Sequence, residues 1–408
     1  MPRRRSDRLT FAAWAAGVGA LVAVAGCQAG LEDNGCQVRR LVVIPETTPL
    51  ALLTDVRIDR VGAASVVLGA DDTAVRWTVV DANGVVGTEQ VFPLPAGTIR
   101  SLFAPAGVND PGDTVVIGLL APAPNGSDTE LRFVAAPADG SPATPPGPPV
   151  VTFAGGVTTP PLVAMGASAS GMNAGAAWLD PVSGSPTYAL LDGQGQVVGA
   201  PAVIESEAAS GYNCLGFASG KQELTITYQR GSVDPRLGPS WLIADVEAGG
   251  GVATLSLNVT QPAGTMSCAR TVLYDPTVAG ASPEYAIVWQ DPSGSWLSVY
   301  YGPETGMVKS FPFASSADFG GPDLQPPIVG LATFGNDFGV LFARPHAVEL
   351  WRTDRGGNRR SGSLPLPSIQ GDVAGVASVS SPGLLTSTYA DLTGAGEGRR
   401  VVVDAVCY

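Results

Sequence analysis

The side chains best suited to catalysis are few and poorly spaced for it. Histidine occurs once, at His346 in Arg344-Pro345-His346. General acid–base work by an imidazole needs a partner and a pocket, and a histidine-rich metal site needs several copies, so His346 reads as a loop or strand-edge residue. The five cysteines, Cys27, Cys36, Cys214, Cys268 and Cys407, lack the CxxC spacing of zinc or redox sites. No GxSxG elbow, Walker loop or HExxH pair occurs. Carboxylates are plentiful, and two of them could in principle form the acid pair used in glycoside hydrolysis. Asp180 and Asp291 are the repeated ones, each standing two residues after a tryptophan and before a proline. An aspartate in such a turn ordinarily accepts hydrogen bonds from its own backbone. The residue types therefore predict no catalytic residue, no metal site and no cofactor.

The elements that would position any site are strands. The chain has 52 glycines and 35 prolines, and only 14% of its residues are charged. Short Val-, Leu- and Thr-rich segments alternate with Gly, Pro, Asp and Asn, which is the pattern of strands and turns. Helix-forming runs at a 3.6-residue period are absent, and the high apolar content argues against disorder.

The first residues decide the compartment. Met-Pro-Arg-Arg-Arg-Ser-Asp-Arg precedes an apolar stretch from Leu9 to Ala25, the layout of an export signal. That stretch is also about as long as a short membrane span, so an uncleaved anchor is the alternative. It ends in Val24-Ala25-Gly26-Cys27, which resembles the lipobox of bacterial lipoproteins. The resemblance implies removal of residues 1–26 and attachment of lipid, palmitate included, to Cys27. The same resemblance reads Gln28 as favouring the outer membrane, since an aspartate there is the strong inner-membrane signal. Removing residues 1–26 deletes four arginines and one aspartate from 23 basic and 36 acidic residues, leaving 19 and 35, a net charge of −16. Such a surface repels nucleic acid. With Cys27 lipidated, four cysteines remain, an even number in an oxidising compartment.

A period of about 55 residues runs through the chain. Trp178-Leu179-Asp180-Pro181 matches Trp289-Gln290-Asp291-Pro292, and a turn glycine follows each tryptophan by 17 residues, at Gly195 and Gly306. Extending the series through Gly84, Gly140, Gly195, Gly250, Gly306 and Gly357 gives spacings of 56, 55, 55, 56 and 51. Trp77, Tyr188, Val299 and Leu350 each stand seven residues before their glycine. Asp-Gly and Asn-Gly supply the positive φ of tight hairpins. A unit of this length with four short strands matches one blade of a β-propeller. The expected fold is all-β, a single propeller over residues 36–408, joined by a tether at 27–35 to the signal peptide at 1–26. Seven blades fit the spacing, with six and eight as alternatives.

Closure follows from the ends. The run Arg399–Val406 reads as an inner strand ending at Cys407, and Gln37–Ile44 as an outer strand beginning at Cys36. If the N-terminal strand completes the C-terminal blade, Cys36 and Cys407 meet where other blades have a turn, and a disulfide there adds about 4 kcal/mol by the chain-entropy model. Cys214 and Cys268, 54 residues apart, then occupy similar positions in adjacent blades, where a second bridge is feasible.

Other resemblances are partial. Asp291–Trp296 resembles the Asp-box of sialidase propellers with its glycine displaced by one residue, a structural motif in that family. Asp391–Gly398 resembles the calcium loop of FG-GAP repeats, but Ala395 and Arg399 stand where acidic ligands belong, and calcium wants six to eight oxygens. Pro303–Gly306 resembles the turn of quinoprotein-like propeller repeats. Pro142–Pro149 reads as an exposed loop able to dock a partner as polyproline. Arg39, Arg40, Arg355, Arg359, Arg360, Arg399 and Arg400 all belong to the last two blades, and the short tether from Cys27 would hold them as a basic edge near anionic headgroups.

The expected role is thus a non-enzymatic, membrane-tethered scaffold or binding protein of the bacterial envelope, monomeric and engaging another envelope protein. In architecture it resembles the lipoprotein propellers that assist outer-membrane protein assembly. Glycan or small-ligand binding at the channel, with Trp296 and Tyr301 as candidate contacts, is the first alternative, and a polysaccharide-acting enzyme the second.

Overall fold

The computed structural model describes residues 38–44, 56–61, 64–80, 85–106, 114–137, 141, 143–155, 161–167, 174–205, 211–218, 224–231, 236, 240–246, 254–260, 268, 270–274, 284–290, 296–302, 306–314, 328–334, 337–344, 347–353, 359–365, 372–381, 384–392 and 399–407. No helix occurs among them, so none is long and apolar enough to cross a membrane. The segment Leu9–Ala25, Cys27, Cys36 and His346 lie outside the described residues.

The first strand, β1 (Val38–Ile44), is set apart from those that follow it. Six four-stranded sheets come next in chain order. They are β2 (Val56–Val61), β3 (Ala64–Ala70), β4 (Ala74–Val80) and β5 (Gln90–Pro93); β6 (Arg100–Ala106), β7 (Thr114–Pro122), β8 (Thr129–Pro137) and β9 (Val151–Phe153); and β10 (Val163–Ala167), β11 (Ala174–Leu179), β12 (Pro186–Leu191) and β13 (Val197–Val203). They continue with β14 (Tyr212–Ala218), β15 (Thr225–Arg230), β16 (Ser240–Asp245) and β17 (Thr254–Thr260); β18 (Arg270–Tyr274), β19 (Glu284–Gln290), β20 (Trp296–Gly302) and β21 (Gly306–Ala314); and β22 (Ile328–Phe334), β23 (Asp337–Arg344), β24 (Ala347–Thr353) and β25 (Arg359–Pro365). The last sheet consists of β26 (Asp372–Ser381), β27 (Leu384–Leu392), β28 (Arg399–Cys407) and, on its outer edge, β1. Every pairing is antiparallel, and β1 runs along β28 with Val38 opposite Val406 and Ile44 opposite Val401.

First strands of successive sheets touch: β2 with β6, β6 with β10, β10 with β14, β14 with β18, β18 with β22, β22 with β26, and β26 with β2. Sheets standing side by side through their first strands form a β-propeller. Four antiparallel strands bring the chain back to the end where it started. We call that the upper end; it carries the turns between second and third strands. The lower end carries the turns between first and second and between third and fourth strands. Each of Gly84, Gly140, Gly195, Gly250, Gly306 and Gly357 falls at the junction of a third and a fourth strand, so the 55-residue period is the sheet-to-sheet repeat. Trp77, Tyr188, Val299 and Leu350 are third-strand residues, and the tryptophans of the Trp-x-Asp-Pro pair, Trp178 and Trp289, are on second strands.

The middle strands are apolar on both faces because each sheet has a neighbour on each side. In β7, Val116 and Leu120 join a cluster with Val163, Met165 and Trp178 of the following sheet, while Val115, Ile117 and Leu119 pack with Val66, Leu68 and Trp77 of the preceding one. The 2-residue alternation of a strand is therefore filled by two hydrophobic sets, and the sequence shows a continuous apolar run. Glycine permits the closest approach. Gly166 and Gly175 are cross-strand partners, and a Cβ on Gly166 would lie 2.5 Å from Cγ of Phe217 on the next sheet. The Phe217 ring sits in the hollow this pair leaves.

The proline-rich stretch is a loop over 143–149, exposed at Pro145, Pro146, Pro148 and Pro149 as expected. It is also tied to the sheet: Thr144 donates to the Ala135 carbonyl at 2.9 Å, Gly147 to Phe133 at 3.1 Å and Val150 to Leu131 at 2.9 Å. Proline is tolerated along a sheet edge because an edge needs only one side paired.

Gly166→Ala is expected to lower stability by about 1–3 kcal/mol through overpacking against Phe217. Adding Phe217→Ala should recover part of that loss, so the two changes combine non-additively in urea unfolding.

Candidate functional site

A polar constellation that joins two sheets lies at the upper end of the seam between β10–β13 and β14–β17. Glu205 follows β13 on the connection into β14. Its carboxylate accepts a hydrogen bond from the Tyr228 hydroxyl at 3.1 Å and pairs with the Arg230 guanidinium, both at the end of β15. The Glu205 and Arg230 side chains are 10% and 20% exposed, and Tyr228 is fully buried. Burial, followed by the negative charge of Glu205, holds the Tyr228 phenol far above its ordinary range, so it remains a proton donor to the carboxylate. Tyr212 opens β14 opposite Arg230, with its ring centroid 6.0 Å from that of Tyr228. Each Glu205 oxygen is engaged by a donor, which suits a brace between sheets.

Two residues further along β14, Cys214 is disulfide-bonded to Cys268, just before β18, with Cα atoms 5.3 Å apart. Cys214 also has φ +53° at a point where the β14–β15 register shifts. A left-handed conformation is costly for a residue with a side chain, and a bulge absorbs it by re-aiming the strand. The bridge ties the first strand of one sheet to the approach to the next.

The upper end also carries aspartate turns at Asp71 and Asp180, while Asp192 plays the same part in a lower-end turn. Asp180 Oδ1 accepts from Ser183 N at 2.7 Å, Val182 N at 3.1 Å and Ser183 Oγ at 2.9 Å. The bond from the Ser183 amide, chiefly, holds its carboxyl below the ordinary 3.8, against the raising effect of burial. Asp71 does the same in the first sheet, accepting from Thr73 and Ala74. Asp291 lies outside the described residues.

Of the other residues singled out from sequence, Cys407 ends β28 at the lower end, while its expected partner Cys36 is outside the described residues. Trp296 and Tyr301 stand at opposite ends of β20, paired with Gln290 and Tyr285, about 17 Å apart along the strand. They do not form one surface. The arginines separate as well. Arg39 and Arg40 are within the first three residues of β1, and Arg359 and Arg360 open β25, all at the lower end. Arg399 and Arg400 begin β28 at the upper end, opposite Leu392 and Asp391, so they are not on the edge expected for them. Arg355 lies outside the described residues. Among the described residues no three His, Cys, Asp or Glu side chains are grouped to hold a metal ion.

No protein-family model matches the sequence, and no curated protein matches it. Solved structures similar to the chain include the β-propeller domain of the Trilobed protease from Pyrococcus furiosus, at 7% identity over 86% of this chain and 93% of that one, TM-score 0.46. The polysaccharide lyase Uly1 is similar at 10% identity over 88% and 91%, TM-score 0.49. The WD40 domain of Toxoplasma gondii coronin is similar at 8% identity over 91% and 86%, TM-score 0.46. The chain is a β-propeller protein by its own strand order and sheet contacts.

The Glu205 constellation was not legible in the sequence. Ile204-Glu205-Ser206-Glu207 reads as a solvated loop, and only the fold brings Glu205 to residues 23 and 25 positions later. Glu205→Ala is expected to cost about 2 kcal/mol or more, because it strands a largely buried guanidinium. Tyr228→Phe should cost about 1 kcal/mol, read as the shift in urea midpoint.

Proposed function

We propose that the protein is a lipid-anchored scaffold of the bacterial envelope, a non-enzymatic binding platform held to the outer membrane through Cys27. In this reading residues 1–26 are removed and residues 27–35 tether a monomeric propeller of seven blades. The N-terminal strand completes the last blade, and a Cys36–Cys407 disulfide seals the join. Its partner is another envelope protein, engaged by the upper end. The observation that carries the reading is the pairing of β1 with β28. It sets the first strand after the tether into the final sheet with its N-terminal residue at the lower end. A chain anchored there leaves the upper end free, and the upper end carries the turns at Asp71 and Asp180 and the braced seam at Glu205. A rigid ring presenting turns at one end is a surface suited to recognition, and a preorganised surface lowers the ordering cost of binding.

The test is metabolic labelling with a palmitate analogue in a bacterial host, paired with chemical crosslinking in intact envelopes. The full chain should take up label and co-fractionate with outer membrane, and Cys27→Ser should abolish both. Crosslinked partners should be lost when the upper-end turns are substituted and kept when the lower-end turns are. Label retained by Cys27→Ser, or partners captured through the lower end alone, would count against the proposal.

A further inference from the structure

The outer strands of the sheets differ in one respect. β5, β9, β13 and β17 contain no arginine or lysine, and β21 contains only Lys309. The outer strands of the last two sheets, β25 and β1, each carry an arginine pair within their first three residues. Arg359 faces Thr353, the last residue of β24, while Arg39 and Arg40 face Ala405 and Asp404 near the end of β28. The two pairs thus occupy equivalent positions, the lower end of the outer strand, in neighbouring sheets that touch through β22 and β26 and through β24 and β26. Asp337 and Asp404 lie toward the same end, and Arg352 adds a fifth positive residue there, so among the described residues this corner holds five positive and two negative side chains in a chain of net charge −13.

The tether joins at that corner. Ten residues separate Cys27 from Val38, a reach of at most about 40 Å when fully extended. We propose that the lower end of the last two sheets, marked by Arg39, Arg40, Arg359 and Arg360, is a seat for an anionic lipid surface. It orients the propeller with its upper end away from the membrane. The seat rests on the lipid-anchor reading for its biological setting, though not for its chemistry. Guanidinium groups suit phosphate headgroups because they offer several donors to each phosphate. The repeated placement is the telling feature. Edge-strand charge that served only to discourage sheet-to-sheet association would be called for on every outer strand, whereas arginine is confined to the strand at the tether and its neighbour.

The experiment uses the chain beginning at Gln28, which keeps every described strand because the first begins at Val38. Co-sedimentation is measured with phosphatidylglycerol–phosphatidylethanolamine vesicles and with phosphatidylcholine vesicles, at low and at raised salt. Binding is expected to the anionic vesicles alone and to weaken with salt. Arg39→Glu/Arg40→Glu/Arg359→Glu/Arg360→Glu should weaken it at least about tenfold. The four-lysine counterpart should retain binding, and Arg399→Glu/Arg400→Glu, at the opposite end, should leave it unchanged. Absence of any preference of the unaltered chain for anionic vesicles would overturn the proposal, whatever the folding of the variants. So would equal loss from the upper-end pair. Palmitate labelling of the full chain is read separately: vesicle binding without label refutes the anchor and leaves the seat standing, and label without vesicle binding refutes the seat alone.

Discussion

A sheet that is apolar on both faces cannot stand alone, and this constraint organises the molecule. Val115, Ile117 and Leu119 of β7 turn to one neighbour, Val116 and Leu120 to the other, and all five are buried. Burying a side chain of this size is worth about 1.5–3 kcal/mol, so a missing neighbour would expose a whole face of such residues at once. Every sheet inherits the requirement, including those made from the chain's two ends. The pairing of β1 with β28 meets it by giving the last sheet its fourth strand from the beginning of the chain, and β26 touches β2 in turn.

Polar groups are satisfied at both rims. Asp71 and Asp180 accept from backbone N–H groups in upper-end turns, and Asp192 does so in a lower-end turn. Glu205, Tyr228 and Arg230 form a charged cluster at a sheet-to-sheet junction. Its worth lies in mutual satisfaction, since either charge left alone would cost more than the pair contributes. The Cys214–Cys268 bridge lies near the same junction, so adjoining seams are fastened by different chemistry within a few residues of β14. The lower rim differs in character, with the hairpin turns of the repeat, the chain's first strand and the arginine pairs.

Much of this was legible in the sequence because a propeller repeats its local signals. The glycine series keeps step with the third-to-fourth strand junctions, and at Gly195 the turn has the expected positive φ of +72°. Trp178 and Trp289 both fall on second strands, and Trp178 is buried there. What stayed hidden depends on where strands end in space. Arginines grouped by sheet number divide between two rims, four at the lower and two at the upper, once direction along each strand is known, since Arg399 begins the strand that Cys407 ends. Trp296 and Tyr301, five residues apart, span a strand from rim to rim. The proline-rich segment is an exposed loop, as its composition suggests, but the sequence did not show that its few remaining donors tie it to β8.

The joining of the two ends is the feature on which the proposed closure and orientation both depend. Its most direct test is hydrogen exchange on a chain begun at Pro45, which lacks β1. Closure predicts that the β28 amides lose protection, that the neighbouring β27 and β26 follow, and that the urea midpoint falls. Unchanged protection of β28 and an unchanged midpoint would contradict it, and would make the N-terminal strand an appendage rather than part of the ring.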